Sequence, residues 1–455
     1  MKKTIQETIP TIAFGLPDAV RAFHESGYFD REIRTIDRLL ARDDCSEAMR
    51  DRLSLQRQIA EQMKCEYDTT PEEALEEIRR DIPDFTEEEL EGIFEDSLVD
   101  WHMVNGKPML QSYFMESFYT RRPDLKARRV NVRETGDPNA YREDNHAVME
   151  KNGYRAFRHR IRLEIEPREE AAIDGEEILV HLPYPALCPE QSDIVLHDMT
   201  PNGVIAGDVQ RTVSWKQIYH KGEKFFVEFS FTNRAKYTRL DPDAVSADQP
   251  DFHTDELPPH ITFTPYLRAL AAEIAGEETN PLILARRVYD YLAHHLHYSY
   301  TREYVLLEPI ADTCALNMRG DCGVMALTFI TLCRILGIPA RWQSGLSVHP
   351  GHIGRHDWAQ FYVAPYGWLY ADLSYSVGAV SVGSDVRLNH YFGSLDPFRM
   401  VTCNNVQGEF VPAKKYLRAD PFDNQRGEIE FASKGLNSYE IRDRRYLISC
   451  EEVFD

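Results

Sequence analysis

The spacing of apolar residues changes along the chain and divides it into regions of different predicted structure. Through the first 125 residues apolar positions recur at the three-to-four spacing typical of helices that bury one face. Helix starts are indicated at Thr70-Pro71 and at Thr86, where Glu89 completes a capping box. An Asn-Gly pair at residues 105–106 predicts a β-hairpin. The pattern therefore predicts a helical N-terminal domain over residues 1–125.

Between residues 126 and 255 the period changes to two. Ile161, Leu163 and Ile165 alternate with charged residues, and turn-forming residues separate the runs. Short alternating strands with such turns indicate an antiparallel β-sandwich. The stretch 240–259, rich in Asp and Pro, is predicted to be a linker.

Residues 256–385 combine both periods and are predicted to form an α+β domain. Helices are expected from Thr264-Pro265 and Asn280-Pro281, because a capping residue followed by Pro favours a helix start. A third helix, from Cys322 to Gly337, is apolar on almost every side and should be buried. Strands are expected over 341–346, 358–363 and 368–373. The last segment, 386–455, is expected to be an extension that packs on this domain.

Three residues of this domain have the chemistry of a cysteine nucleophile and its base. Cys322 opens the buried helix, where the positive end of the helix dipole favours a thiolate. A hairpin with its turn at residues 364–367 would return Asp372 beside His356. An acid in that position orients an imidazole, and a thiolate–imidazolium pair is then expected.

Neighbouring residues are the candidate substrate contacts. Gly323 would let a substrate backbone approach the thiol, and Trp358 would shield the base from water. Asp321 is expected to cap the helix. The backbone N–H of Cys322 is the expected oxyanion donor, and no side-chain donor is evident from the sequence.

The order of these motifs resembles the transglutaminase-like superfamily. Gly-Asp-Cys stands before the buried helix, Gly-Ile-Pro-Ala-Arg ends it, and His-x-Trp and Gly-Trp…Asp follow, with a similar helix upstream ending near Tyr298. The resemblance covers about residues 260 to 375 and is closest to bacterial members with an upstream β domain. It implies a papain-like α+β core in which Cys322 is the nucleophile, His356 the base and Asp372 the orienting acid. No EF-hand pattern is present, so calcium activation is not predicted.

Composition and charge exclude several other functions. The chain of 455 residues has a net charge of −22, and residues 43–100 alone hold 20 acidic against 6 basic residues. Such acidity disfavours nucleic acid, and with it a winged-helix reading of the N-terminal helices and hairpin, and also disfavours anionic membranes. A peptide or protein substrate, basic peptides included, is the expected partner; the oligomeric state stays open.

The apolar runs, cysteines and histidines of the sequence predict a cytoplasmic protein without cofactor or metal. There is no apolar run long enough for a signal peptide core or a membrane span, and eight scattered cysteines do not suggest a disulfide framework. No C-x2-C pair is present, and a metal at His349, His352 and His356 would compete with the proposed base.

These features predict a cysteine hydrolase, a peptidase or amidase, that works through a thioester intermediate. Two alternatives remain. The first is acyl transfer to an amine, as in a transglutaminase, and the second is a non-catalytic scaffold that binds proteins.

Overall fold

The computed structural model describes residues 3–130, 141–307, 309–419 and 422–454. The N-terminal region begins with helices: α1 (Ile5–Thr8), α2 (Asp18–Glu25), α3 (Phe29–Leu40) and α4 (Glu47–Glu66). A smaller mixed segment follows: β1 (Tyr67–Thr69), α5 (Pro71–Asp81), α6 (Glu87–Glu95), β2 (Trp101–Val104), β3 (Lys107–Gln111) and α7 (Phe114–Arg121). The capping boxes expected at Thr70 and Thr86 are both present, and β2 and β3 form the expected hairpin.

The elements of the N-terminal region contribute to several separate hydrophobic cores. Residues of α3 and α4, among them Phe29 and Ile59, share one large core with the buried helix of the cysteine. The mixed segment has its own small core around Phe85, Phe114 and Phe118. The sequence pattern predicted one helical domain over residues 1–125. Periodicity indicates which face of a helix is buried, but it does not indicate which core that face joins.

Next come α8 (Tyr141–Asn152) and six strands: β4 (Tyr154–Pro167), β5 (Glu177–Pro183), β6 (Gln191–Met199), β7 (Val204–Ala206), β8 (Thr212–Ile218) and β9 (Phe225–Lys236). Residues 131–140, which the sequence analysis assigned to the start of this β domain, lie outside the described residues. Short 3₁₀ helices occur here and elsewhere: Ile9–Ala13, Pro123–Arg128, Pro242–Ala244 and Tyr304–Leu306.

The region that contains Cys322, called here the helix–sheet unit, consists of helices and strands in mixed order. In chain order they are α9 (Pro265–Ala275), α10 (Pro281–His295), β10 (His297–Tyr298), α11 (Ile310–Asn317), β11 (Arg319–Gly320), α12 (Cys322–Ile335), β12 (Ala340–His349), β13 (His352–Val363), β14 (Gly367–Ala371), α13 (Leu373–Ser381), α14 (Asp385–His390) and β15 (Arg399–Cys403). Four strands form an antiparallel sheet in the order β14-β13-β12-β15. Helix α12 packs on β12 and β13 and is buried from Gly323 to Arg334.

The last two strands, β16 (Glu428–Phe431) and β17 (Ile441–Glu452), complete the sandwich. Its sheets have the orders β17-β4-β9-β6 and β16-β5-β8-β7, and every neighbouring pair is antiparallel. The C-terminal segment therefore contributes to the sandwich as well as to the helix–sheet unit, whereas the sequence analysis expected it to pack on the latter. Leu346, Val348 and Met400 of the four-stranded sheet join the core of the sandwich, so the two units share an apolar interface.

The α+β class predicted from the sequence is confirmed by this mixture of helices and antiparallel sheets. Among the described residues, none of the helices combines the length and apolarity needed to cross a membrane.

Candidate active site

Cys322 is the first residue of α12, and side chains around it fix the start of that helix. Asp321 caps the helix by accepting the Val324 N–H at 3.1 Å. The same carboxylate accepts the Tyr304 hydroxyl at 2.6 Å and the Thr301 hydroxyl at 2.9 Å. Burial raises the pKa of Asp321, although these hydrogen bonds oppose the increase. The cap is thus part of a buried hydrogen-bond network.

The Cys322 thiol is half-buried and donates a hydrogen bond to Asp357 Oδ2 at 3.5 Å. The other oxygen of Asp357 accepts Gln425 Nε2 at 2.6 Å. Burial raises the pKa of the thiol well above its ordinary value, and the nearby Asp357 and Asp321 carboxylates raise it further. The thiol is therefore neutral at pH 7. The sequence analysis expected a thiolate here, because a helix end alone would lower the pKa.

His356 and Asp372 are brought together by the β13–β14 hairpin. His356 lies on β13, Asp372 directly follows β14, and His356 Nε2 lies 2.7 Å from Asp372 Oδ2. A carboxylate can only accept a hydrogen bond, so Nε2 carries the proton. In the neutral imidazole Nδ1 then has a free lone pair, and among the described residues it has no hydrogen-bond partner.

Arg399 of β15 donates to the same carboxylate oxygen of Asp372 that His356 contacts. Arg399 Nη1 donates to Asp372 Oδ2 at 2.7 Å, and Arg399 Nη2 donates to Asp396 Oδ2 at 2.9 Å. Burial alone would raise the pKa of Asp372, but His356 and Arg399 together hold it well below its ordinary value. Asp372 is thus ionised and can orient the imidazole.

The imidazole of His356 is packed against Tyr375. The two rings stack with centroids 4.5 Å apart and planes 22° apart. Burial lowers the pKa of His356, and Asp372 does not fully offset this effect. Thiol and imidazole are both neutral in this structure, since burial disfavours each charged form.

The two groups open into adjoining cavities. A cavity of about 360 Å³, called here the thiol-side cavity, is lined by Cys322 and Asp357. A second cavity of about 520 Å³, the imidazole-side cavity, is lined by His356 and Tyr375. The cavities share wall residues: Tyr298, Tyr300, His352, Gly354 and Arg355. Together they make a cleft of the size that holds small ligands or a few residues of a peptide.

Residues 268–373 match the family model described as the transglutaminase-like superfamily. This segment is a transglutaminase-like core. It contains Cys322, His356 and Asp372, and the fold implied by the resemblance of the sequence is confirmed. No curated protein matches the chain.

Solved structures with partial similarity include three bacterial proteins. A candidate cysteine protease from Cytophaga hutchinsonii has a TM-score of 0.39 and 14% identity, over 66% of this chain and 92% of that one. The periplasmic domain of TgpA from Pseudomonas aeruginosa has a TM-score of 0.27 and 18% identity, over 54% and 96%. A candidate protease from Parabacteroides distasonis has a TM-score of 0.20 and 11% identity, over 48% and 67%. Scores this low carry no information about the activity of this chain.

Three residues of the transglutaminase-like core were expected to contact substrate, and the structure shows what each of them packs against. Trp358 is fully buried and donates through Nε1 to Gln343 Oε1 at 2.7 Å, so it packs the sheet and does not line the cleft. Gly323 is buried, and a Cβ there would lie 2.1 Å from the Tyr304 hydroxyl. Asp321 does line the thiol-side cavity, with both carboxylate oxygens engaged by the cap network.

Several residues of the transglutaminase-like core and its neighbourhood were not identified from the sequence. Asp357 follows the motif histidine and contacts the thiol, and Tyr298 lines both cavities. Arg399 lies in the C-terminal segment, whose pattern carried no functional signal. It reaches Asp372 because β15 pairs with β12, a long-range contact without a local sequence signature.

Histidines occur at the end of α10 as well as at positions 349 and 352. In the part of the chain that the structure describes, no group of three or more His, Cys, Asp or Glu side chains could hold a metal ion. His294 and His295 approach carbonyl oxygens one turn back in α10, at 2.8 and 2.7 Å. His349 and His352 line the imidazole-side cavity with rings 5.4 Å apart.

Proposed function

We propose that this chain is a cysteine hydrolase, a peptidase or amidase, that cleaves an amide bond through a thioester. Cys322 is the nucleophile, His356 the general base and Asp372 the group that orients the base. The observation that supports this most directly is the 2.7 Å contact between His356 Nε2 and the buried Asp372 carboxylate. It leaves Nδ1 available as a proton acceptor beside the cleft, on the strand whose next residue touches the thiol.

The reaction starts from a neutral thiol and a neutral imidazole. The thiol turns away from Asp357 and gives its proton to His356 Nδ1 while Sγ attacks the carbonyl carbon. When the tetrahedral intermediate collapses, the C–N bond breaks and Nδ1–H protonates the leaving amine. Water, deprotonated by the same imidazole, then attacks the thioester and releases the acid and the thiol.

Two donors are proposed for the oxyanion of the intermediate. One is the backbone N–H of Cys322, at the start of α12, where helix N–H groups have no partner within the helix. The other is the hydroxyl of Tyr298, which lines both cavities and has no hydrogen-bond partner among the described residues. Burial and then the charge of Cys322 raise the pKa of Tyr298 well above its ordinary value, so it stays a donor.

Acyl transfer to an amine is the second candidate. The carboxylates of Asp357 and Asp321 beside the thiol would attract a protonated amine into the thiol-side cavity. We also propose a reducing compartment, the cytosol, since all eight cysteines are free thiols. The expected substrate remains a peptide or protein.

The test is cleavage of a defined peptide mixture by the purified full chain, read by mass spectrometry in heavy-oxygen water with putrescine present. Hydrolysis gives heavy-oxygen carboxyl termini, and amine transfer gives putrescine adducts. Cys322→Ala should abolish both products, and Asp372→Asn should lower the rate by about 10²–10⁴-fold because the imidazole loses its orientation. Cys65→Ala, at an exposed cysteine, is the control and should retain full activity. Products that persist in Cys322→Ala would refute the proposed nucleophile.

A further inference from the structure

The imidazole-side cavity has a charge opposite to that of the chain. The protein carries a net charge of −22, and five carboxylates line the thiol-side cavity: Glu66, Glu303, Asp321, Asp357 and Asp423. The residues that line the imidazole-side cavity include Arg142, Arg355 and several histidines, and none of its described lining residues is Asp or Glu. Although the chain is acidic, the described side chains that line this half of the cleft are basic or neutral.

Arg142 contributes a positive charge to the lining of this cavity. Its guanidinium carbon lies 3.5 Å from the centre of the Tyr375 ring, and Nε donates to the Tyr141 hydroxyl at 3.3 Å. Among the described residues it has no carboxylate within ion-pair distance, whereas Arg355 is paired with Asp443 at 2.9 Å. A half-buried guanidinium is normally paired, because removing its charge from water is costly. Arg142 is therefore ready to accept an anion.

The Asp396 carboxylate acts on Arg142 electrostatically, but it is already hydrogen-bonded to other residues. Its oxygens are bonded to Arg399 and to the Tyr391 hydroxyl at 2.9 and 3.0 Å. It does not line the cavity, among the residues described. The hydroxyl groups of Ser347 and Tyr375 on the cavity wall lie 3.1 Å apart and share one hydrogen bond, so one of their two protons is left to donate to a bound oxyanion.

The position of this cation indicates which part of a substrate it meets. Tyr375 contacts both Arg142 and the ring of His356, so one aromatic ring separates the guanidinium from the base. The base must protonate the leaving amine, and the leaving group therefore occupies the imidazole-side cavity. An anion bound by Arg142 belongs to that leaving group.

We propose that the imidazole-side cavity is a subsite for a carboxylate on the leaving-group side of the scissile amide, with Arg142 as its charge partner. The inference rests on the proposed hydrolase function and narrows the substrate to amides whose released amine carries a carboxylate. Such a carboxylate comes either from the C-terminus of a peptide or from an acidic side chain next to the scissile bond. This differs from the preference for basic peptides that the net charge by itself suggests.

The test measures binding to the Cys322→Ala protein, which separates recognition from catalysis. Three probes are compared by calorimetry: N-acetyl-Ala-Ala with a free C-terminus, its C-terminal amide, and N-acetyl-Ala-Glu amide. At least one carboxylate probe should bind about tenfold more tightly than the neutral amide, since a hydrogen bond to a charged group contributes about 1.5–3 kcal/mol. The preferred carboxylate probe identifies the source of the anion.

Variants in the same background assign the effect to Arg142. Arg142→Gln should remove the preference, and Arg142→Lys should keep part of it because the charge remains. Arg286→Gln, which changes an arginine paired with Asp290 on α10, is the control and should leave the preference intact. Equal affinity of the three probes, no binding of a carboxylate probe at millimolar concentration, or a preference that survives Arg142→Gln would overturn the proposal. Since no turnover is involved, such a result does not depend on the hydrolase assignment.

Discussion

Asp357 follows the candidate base in sequence and touches the candidate nucleophile in space. Its side chain accepts a hydrogen bond from the Cys322 thiol, with Sγ and Oδ2 3.5 Å apart. A carboxylate beside a thiol opposes formation of the thiolate, and burial acts in the same direction. At this scale the candidate site holds a neutral thiol and a neutral imidazole.

The pH dependence of thiol alkylation tests this arrangement. In the wild type, the rate of iodoacetamide labelling at Cys322 should keep rising beyond pH 9.0, the ordinary thiol pKa, because only the thiolate reacts. Asp357→Asn removes one charge that raises the thiol pKa, so its profile should move to lower pH by about one unit. Mass spectrometry of the labelled peptides gives both profiles.

Cys65, an exposed cysteine in the same samples, is the internal reference and should be labelled alike in both proteins. Rapid labelling of wild-type Cys322 at pH 6, or identical profiles in the two proteins, would contradict the neutral resting pair.

At the scale of elements, the start of α12 and the β13–β14 hairpin position the reacting groups. The helix start depends on Asp321, and Asp321 depends on the Tyr304 hydroxyl, which fits only because residue 323 has no side chain. The hairpin depends on its register, with Ala359 opposite Ala371, which brings the following Asp372 back toward His356. The absence of a side chain at Gly323 therefore serves the geometry of the helix start.

Gly323→Ala should disturb this helix start. The new methyl group would lie 2.1 Å from the Tyr304 hydroxyl, and displacing that hydroxyl weakens the cap. We expect a loss of about 1–3 kcal/mol in the free energy of unfolding, measured by urea denaturation. Gly92→Ala in α6, where nothing lies within 4 Å, is the matched control and should be neutral or stabilising. Equal effects of the two substitutions would contradict the packing role of Gly323.

At the scale of the whole molecule, buried polar contacts join distant segments around the cleft. Glu66 at the end of α4 accepts Gln111 Nε2 from β3 at 2.9 Å and the Tyr439 hydroxyl from the C-terminal segment at 2.7 Å. Burial raises the pKa of Glu66 to about 7, and the nearby Glu303 carboxylate adds to the effect. The N-terminal helices, the small sheet and the C-terminal segment thus meet at a carboxyl group that folding favours in its protonated form.

Glu66 should make the protein less stable as the pH rises. A carboxyl whose pKa is raised in the folded state stabilises that state below its unfolded pKa of 4.5, and the contribution is lost as the pH rises to about 7. Glu66→Gln keeps the hydrogen-bonding shape without the charge. We compare the free energy of unfolding of Glu66→Gln with that of wild type, measured with urea at pH 5 and at pH 8. The variant should be more stable relative to wild type at pH 8 than at pH 5, by about 1–3 kcal/mol. Glu61→Gln, at a side chain of the same helix that is 46% exposed, is the matched control. A constant difference between Glu66→Gln and wild type at both pH values would refute the assignment.

Local features of the fold and of the site were predictable from the sequence because their causes are local. A capping residue and a Pro determine where α5, α9 and α10 begin, and alternation determines which residues of β4 and β9 face the core. The contact between His356 and Asp372 belongs to the same class, because a single hairpin makes it.

Tertiary structure decided what depends on contacts between distant parts of the chain. The amino-acid order identified Cys322 at a helix start, but burial, together with packing against Asp357 and Asp321, made its thiol a neutral donor. Likewise no local pattern could place Arg399 on Asp372, or the last two strands in the sandwich, since long-range strand pairing brings them there. Sequence thus determined which chemical groups are present and where helices and hairpins begin. Burial and long-range pairing, which set the charge state of each group and the cavity it faces, were decided by the folded molecule.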